Sequence, residues 1–185
     1  MSNYYKEHSQ EYINQTIDAN MKEQYDFFEK YLKPKAKILD VGFGSARDML
    51  YFKNKRYDVY GFDLEEEFVK HALTLNLNVK QGNILTFKSD IKFDAIWACA
   101  SLLHLKSEEL LKGIDNLLSC LSDEGIMYLS FKYGDFEGDI EGRYFTYLNE
   151  IKLTKLGLNV IESKITNDVN NRNNKWLNII IKNKV

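Results

Sequence analysis

One acid and two glycines, Asp40, Gly42 and Gly44, carry the most readable chemistry in this chain. They lie in residues 37–48, K-I-L-D-V-G-F-G-S-A-R-D. Ile38, Leu39 and Val41 read as an apolar strand, the glycines as a tight turn, and the residues beyond as the start of a helix. Glycine adopts backbone angles that other residues avoid and lets a ligand approach the main chain. A second acid, Asp63, closes the segment Y-G-F-D, 21 residues after Gly42. An acid at the end of the second strand of such a unit is placed to accept ribose hydroxyls. The two features together imply an adenosine-containing ligand at the carboxyl edge of a parallel sheet.

The type of adenosine ligand follows from the neighbours. A dinucleotide fingerprint needs a small residue at its sixth position, where this chain has Arg47. The Gly-Lys-Ser/Thr of a phosphate-binding loop is absent. Asp40 would repel a pyrophosphate and suits a ligand that carries positive charge. The stretch resembles the first motif of class I S-adenosylmethionine-dependent methyltransferases, acid-x-G-x-G-x-G, with Ala46 in place of the third glycine. The resemblance implies S-adenosylmethionine as cofactor, bound over Gly42 and Gly44. Asp40 would lie near its amino-acid end, and Asp63, with Leu64 beside it, at the ribose. Two other readings stay open: a nucleotide-cofactor oxidoreductase of the NAD type, and a module that binds S-adenosylmethionine without transferring methyl.

The elements that must hold these residues read as one α/β domain over 1–185, with an N-terminal helical lid (1–34) and a Rossmann-like core (35–185). Residues 5–32 read as helical, ended by Pro34, the only proline. Strands are expected at 37–41, 57–63, 78–81, 93–99 and 126–132, and near 158–166 and 175–182. Helices are expected from Ser45, as a cap, to about 53, at 65–75, at 107–121 and near 145–156. In the helix at 107–121, Leu110, Leu111, Ile114, Leu117 and Leu118 share one side. Residues 133–142 read as a polar loop. Alternation of strand and helix predicts a doubly wound, mostly parallel sheet with helices on both faces. The family resemblance adds a seven-stranded order, 3-2-1-4-5-7-6, with strand 7 antiparallel.

Several further residues are candidates for the site. Asn83 and Ile84 follow the third strand, where the resemblance implies a polar contact to the adenine amino group and an apolar neighbour to the ring. F-D-A-I-W-A-C (93–99) is similar to the family's fourth-strand motif, and its small residues, Ala98 among them, leave room for cofactor. Asp94 supports the strand in this reading and Trp97 packs in the core. An Asn/Asp-Pro-Pro-aromatic motif is absent there, which disfavours methylation of amides or base amines. His104 is a candidate general base, although an in-line displacement on an activated carbon needs little beyond alignment. Lys132 and Arg143 fall at the carboxyl edge and can hold an anionic group, with Arg143 opening the helix near 145. Trp176 extends the pocket. Tyr12 and Thr16 share a face of the N-terminal helix and, with Tyr5, close over a sulfonium.

Composition narrows the rest. The chain has 185 residues, 28% charged and 44% hydrophobic, with net charge −2. That balance offers no basic footprint for nucleic acid. No apolar run is long enough to span a bilayer, and nothing resembles a signal peptide. Two cysteines far apart, Cys99 and Cys120, fit no metal spacing and suit a reducing cytoplasm. The reading is therefore of a cytoplasmic enzyme acting on a small molecule, without metal. Its length and the S-L-L-H-L segment are similar to small stand-alone bacterial methyltransferases, among them the tellurite-resistance type. Oligomeric state is not encoded in any of these features.

Overall fold

The computed structural model describes residues 4–170 and 172–183. In chain order the elements are α1 (Tyr4–Thr16), α2 (Lys22–Glu29), β1 (Lys37–Val41), α3 (Arg47–Asn54), β2 (Asp58–Asp63), α4 (Glu66–Thr74), β3 (Asn78–Gln81) and β4 (Phe93–Ala98). There follow α5 (Ser107–Leu118), β5 (Leu121–Lys132), β6 (Glu137–Ile140), β7 (Arg143–Thr146), α6 (Glu150–Lys155), β8 (Asn159–Asn167) and β9 (Lys175–Lys182). A single 3-10 turn, Leu102–His104, links β4 to α5.

Seven strands make one sheet in the order β3-β2-β1-β4-β5-β9-β8. The first five are parallel, and β9 runs antiparallel to both β5 and β8. This is the expected place and direction for the last two strands; only their numbers differ, because β6 and β7 are inserted before them. The central strands are apolar on both faces, as a sheet covered by helices on both sides requires. Along β1, Ile38 packs with Phe28, Met49, Phe52 and Trp97 on one face, while Leu39 and Val41 join Ile96, Ile114 and Met127 on the other. Trp97 stacks on Tyr128 at 4.0 Å, and both are fully buried. Asp94 accepts the backbone N–H of Lys37 (2.8 Å) and so ties β4 to the start of β1. Because β1, β2, β4 and β5 are parallel, Val41, Asp63, Ala98 and Lys132 all end at one edge, where the candidate residues gather.

Several expected elements differ. The single N-terminal helix is two, α1 and α2, and α1 is itself interrupted at His8 (φ −119°, ψ 20°). Ser45 does not cap α3; the cap position is Ala46, in the left-handed region at φ 62°. β5 begins at Leu121, before the expected start at 126, and runs through Gly125. In α5, Leu110, Ile114, Leu117 and Leu118 are buried, but Leu111 is exposed. The largest difference lies at 133–146. The expected loop and helix are instead a two-stranded ribbon, β6 paired to β7 from Ile140↔Arg143 to Glu137↔Thr146. Its two turn residues, Glu141 (φ 48°) and Gly142 (φ 74°), both have positive φ, which matches the right-handed twist of a hairpin. Arg143 therefore sits on a strand, not at a helix N-terminus, and α6 starts only at Glu150 behind an Asn149 cap that accepts the Lys152 N–H at 3.0 Å. No helix of the described residues is long and apolar enough to cross a membrane.

Candidate active site

The glycine turn is shaped by close contacts on both sides. A Cβ on Gly42 would lie 2.7 Å from the Ser101 Cβ, and one on Gly44 would lie 2.9 Å from Tyr12 Cε1. Both glycines have positive φ, +68° and +52°, so geometry and crowding each select glycine. Ala46 bears the third left-handed conformation, which explains why the related motif prefers glycine there. At the end of β2, the Asp63 carboxylate accepts the N–H groups of Gly44 and Glu65, each at 2.9 Å. It thus locks the turn after β1 to the turn after β2. Burial pushes its pKa up to about 6 even though those amides oppose the shift.

Two cavities open at this edge. The first is lined by Gly42, Gly44, Asp63, Leu64, Asn83 and Ile84, with Phe68 and Ser101 completing it. The second, about 350 Å³, is lined by Lys132, Arg143, Trp176 and Arg172, and by Asp48 and Cys99 deeper in. Tyr5, Tyr12, Gly42, Ala100, His104 and Arg143 line both and form the shared wall. Helix α1 supplies the roof: Tyr5 and Tyr12 meet edge to face at 5.3 Å, and both rest on Phe68 of α4.

Below the turn lies a buried polar hub. Asp48 accepts from the Tyr25 hydroxyl (2.6 Å), Trp97 Nε1 (2.8 Å), and Arg47 Nε and a terminal nitrogen (2.7 and 2.9 Å). Burial disfavours its charge, but the Arg47 guanidinium and these donors hold its carboxyl below the usual range. Arg47 also donates to the Thr16 carbonyl at 3.3 Å, which fastens the end of α1 to α3. Asp40 is held differently. It is buried, one of its oxygens has no partner, and burial together with the Asp48 charge drives its pKa well above normal.

His104 is engaged at both ring nitrogens. Nδ1 lies 2.7 Å from the Tyr144 carbonyl, which accepts only from an N–H, so Nε2 takes the hydrogen of the Tyr5 hydroxyl at 2.9 Å. Burial, reinforced by the Arg143 and Lys132 charges, lowers its pKa to about 4. The ring is neutral near pH 7, and any proton that reaches Nε2 comes by way of Tyr5.

The structure brings most of the expected residues together. Gly42, Gly44, Asp63, Leu64, Asn83, Ile84 and Tyr12 line the first cavity; Lys132, Arg143 and Trp176 line the second, and His104 stands between. Three fall elsewhere. Ala98 is core, and the space beside β4 is bounded by Ala100 and Ser101 instead. Thr16 faces the second cavity, and its hydroxyl donates to the Tyr12 carbonyl. Asp40 lines neither cavity and lies beneath the turn. Asn83 spends Oδ1 on the Leu85 N–H (2.9 Å), which leaves its amide hydrogens for a ligand. Sequence reasoning missed Asp168, a buried acid that accepts from Trp176 Nε1 (3.0 Å) and Arg172 Nε (3.1 Å) and so orients the rim of the second cavity. Its only signal was its place at the start of the turn that joins the two closing strands. Among the described residues no cluster of His, Cys, Asp and Glu could hold a metal ion.

A glycine turn, a buried carboxylate at the end of β2 and apolar walls enclose the first cavity at the carboxyl edge of the sheet. Residues 38–125, which hold the turn, Asp63 and the β4 segment, match the family model described as a methyltransferase domain. An uncharacterized methyltransferase from Staphylococcus carnosus is 25% identical over 175 residues, covering 78% of this chain and 84% of that protein. The fold is similar to 1,6-didemethyltoxoflavin-N1-methyltransferase from Burkholderia thailandensis, with TM-score 0.82, 17% identity, and coverage of 99% of this chain and 87% of the other. It is also similar to a TehB-like S-adenosylmethionine-dependent methyltransferase from Corynebacterium glutamicum, with TM-score 0.74, 17% identity, and coverage of 97% and 100%. Residues 38–125 are thus similar to a methyltransferase domain, and the whole chain has the fold of S-adenosylmethionine-dependent methyltransferases; S-adenosylmethionine is the cofactor that these matches point to.

Proposed function

We propose that the methyl acceptor is a small molecule that enters the second cavity. The observation that carries this reading is the shared wall. A cofactor over Gly42 and Gly44 and an acceptor beside Lys132, Arg143 and Trp176 would meet at Tyr5, Ala100 and His104. Asp63 would accept the ribose hydroxyls, Asn83 would donate its amide hydrogens to a ring nitrogen at the adenine edge, and Leu64 and Ile84 would flank the ring. The bound cofactor supplies an already activated methyl carbon. The chain's own residues align the acceptor, exclude water under the α1 roof and hold the Tyr5–His104 pair at the junction. The Burkholderia thailandensis relative, whose structure holds 1,6-didemethyltoxoflavin and S-adenosylhomocysteine, supports an acceptor of this size.

The test is thermal shift followed by turnover. S-adenosylmethionine and S-adenosylhomocysteine should raise the melting temperature and NAD should not. S-adenosylhomocysteine should then accumulate with a metabolite panel and not with protein or nucleic acid. Stabilisation by NAD alone would refute the cofactor assignment. Product formed only on a macromolecule would refute the acceptor class.

A further inference from the structure

The second cavity holds positive charge that its own carboxylates do not balance. Its lining carries four cations (Arg47, Lys132, Arg143, Arg172) against three acids (Asp48, Glu141, Asp168), in a chain whose net charge is −2. Two of the cations are spoken for: Arg47 by Asp48, and Arg172 by Asp168. The other two rest on ring faces. The Lys132 ammonium lies 4.2 Å from the centre of the Phe145 ring and 5.4 Å from that of Tyr147. The Arg143 guanidinium lies 4.4 Å from the Tyr4 ring and 5.3 Å from Phe145. A ring face holds a cation while leaving its N–H donors unspent. Among the described residues no carboxylate lies within 4.0 Å of Lys132. The only carboxylate within 4.0 Å of Arg143 among the described residues is the exposed Glu141 at 3.8 Å; the Arg143 guanidinium also acts on the Tyr5 hydroxyl, and its buried Nε has no hydrogen-bond partner. Burial and then the nearby Arg143 and Arg172 charges lower the Lys132 pKa, against a smaller opposing pull from Asp168 and Glu141.

We infer that the acceptor is a small organic anion whose charged group is held by Lys132 and Arg143, at a different place on the molecule from the atom that takes the methyl group. This rests on the methyltransferase reading above and deepens it. Position separates handle from acceptor atom. Lys132 lines only the second cavity, and Arg143 joins it from the shared wall where Tyr5, Ala100 and His104 also stand, so the handle extends from that wall into the second cavity. The cavity, about 350 Å³ against the roughly 30 Å³ taken by one water in the liquid, has room for an organic body beside the charge. Trp176, half-buried at the cavity wall, offers that body an apolar face.

Trp176 also supplies the assay, because the other tryptophan, Trp97, is sealed in the core. Protein saturated with S-adenosylhomocysteine is titrated with benzoate, with its neutral isostere benzamide and with inorganic phosphate, following Trp176 emission; the series is repeated without S-adenosylhomocysteine. Benzoate should bind at least tenfold tighter than benzamide and tighter than phosphate. Lys132→Met, or Lys132→Gln should the first fold poorly, should remove that preference while leaving S-adenosylhomocysteine affinity within twofold. Equal response to benzoate and benzamide would overturn the anion handle. Phosphate binding as tightly as benzoate would overturn the organic body. Loss of S-adenosylhomocysteine binding with benzoate preference intact would instead refute the cofactor assignment, so the two ideas fail separately.

Discussion

With Asp63 on the ribose as proposed, cofactor affinity should depend on pH in a direction opposite to this group's effect on the unliganded fold. Its carboxyl is pushed up to about 6 from an ordinary 3.8, because burial outweighs the two amide hydrogen bonds. A raised carboxyl favours the protonated form in the folded state. Its stabilising contribution is complete below about pH 4 and is lost as pH rises through 6, about 3 kcal/mol in all. The empty protein should therefore gain stability from this group on going from pH 7 to pH 5. Ribose hydroxyls donate hydrogen bonds and need the ionised acceptor. Below pH 6 the proton must leave before the ligand is held, so affinity should fall about tenfold per pH unit, or about 1.4 kcal/mol at pH 5. The assay is calorimetric titration with S-adenosylhomocysteine between pH 8 and pH 5, in two buffers of different ionisation enthalpy to count the proton released. Asp63→Asn should bind weakly and with a flat pH profile. Wild-type affinity unchanged from pH 8 to pH 5 would refute the reasoning. A profile flattened by Asp40→Asn and untouched by Asp63→Asn would transfer the role to Asp40, whose carboxyl is also raised by burial.

Two other substitutions test the scaffold. Gly44→Ala places a Cβ 2.9 Å from Tyr12 Cε1 at a φ of +52°; it should lower S-adenosylhomocysteine affinity at least tenfold by displacing the roof, and wild-type affinity by calorimetry would show that Tyr12 does not close the site. Asp48→Ala strands the Arg47 charge together with the Tyr25 and Trp97 donors, and should cost about 3–5 kcal/mol in urea denaturation; a loss under about 1 kcal/mol would mean that the hub is structurally dispensable.

The cofactor half of the site was legible because local rules enforce it. The strand must end, the turn needs positive φ at Gly42 and Gly44, and the acid at the end of β2 must reach back to the Gly44 amide. All of that is written in residues close in sequence. The acceptor half was less legible because distant segments build it. The acids between 133 and 142 read as a solvated loop, yet Tyr144, Phe145 and Thr146 favour a strand, and the Glu141–Gly142 pair closes a two-residue hairpin. Arg143 reached the site as expected, but on that ribbon. The Tyr5–His104 contact spans 99 residues and the Asp48–Trp97 contact 49, so neither leaves a spacing for a sequence motif to record. Ala98 was misplaced by the last turn of a strand: two residues later, Ala100, at φ 52°, turns the chain into the cavity.

The distribution of charge and aromatic surface bears on how such a site would work. Asp63 and Glu65 line the first cavity and Lys132 the second, with Arg143, Tyr5 and Tyr12 on the wall they share. A sulfonium donor and an anionic acceptor attract each other more strongly as water is removed. Transfer between them disperses charge, so a dry enclosure disfavours the separated reactants more than the transition state. The aromatic roof then has two tasks, exclusion of water and support of cations whose hydrogen-bond donors must remain free. A carboxylate partner for Lys132 would do the second task badly, since it would compete with the acceptor for the same N–H groups. Ring faces hold the ammonium in place without that competition, which accounts for Phe145 and Tyr147 standing where an ion pair would otherwise be expected.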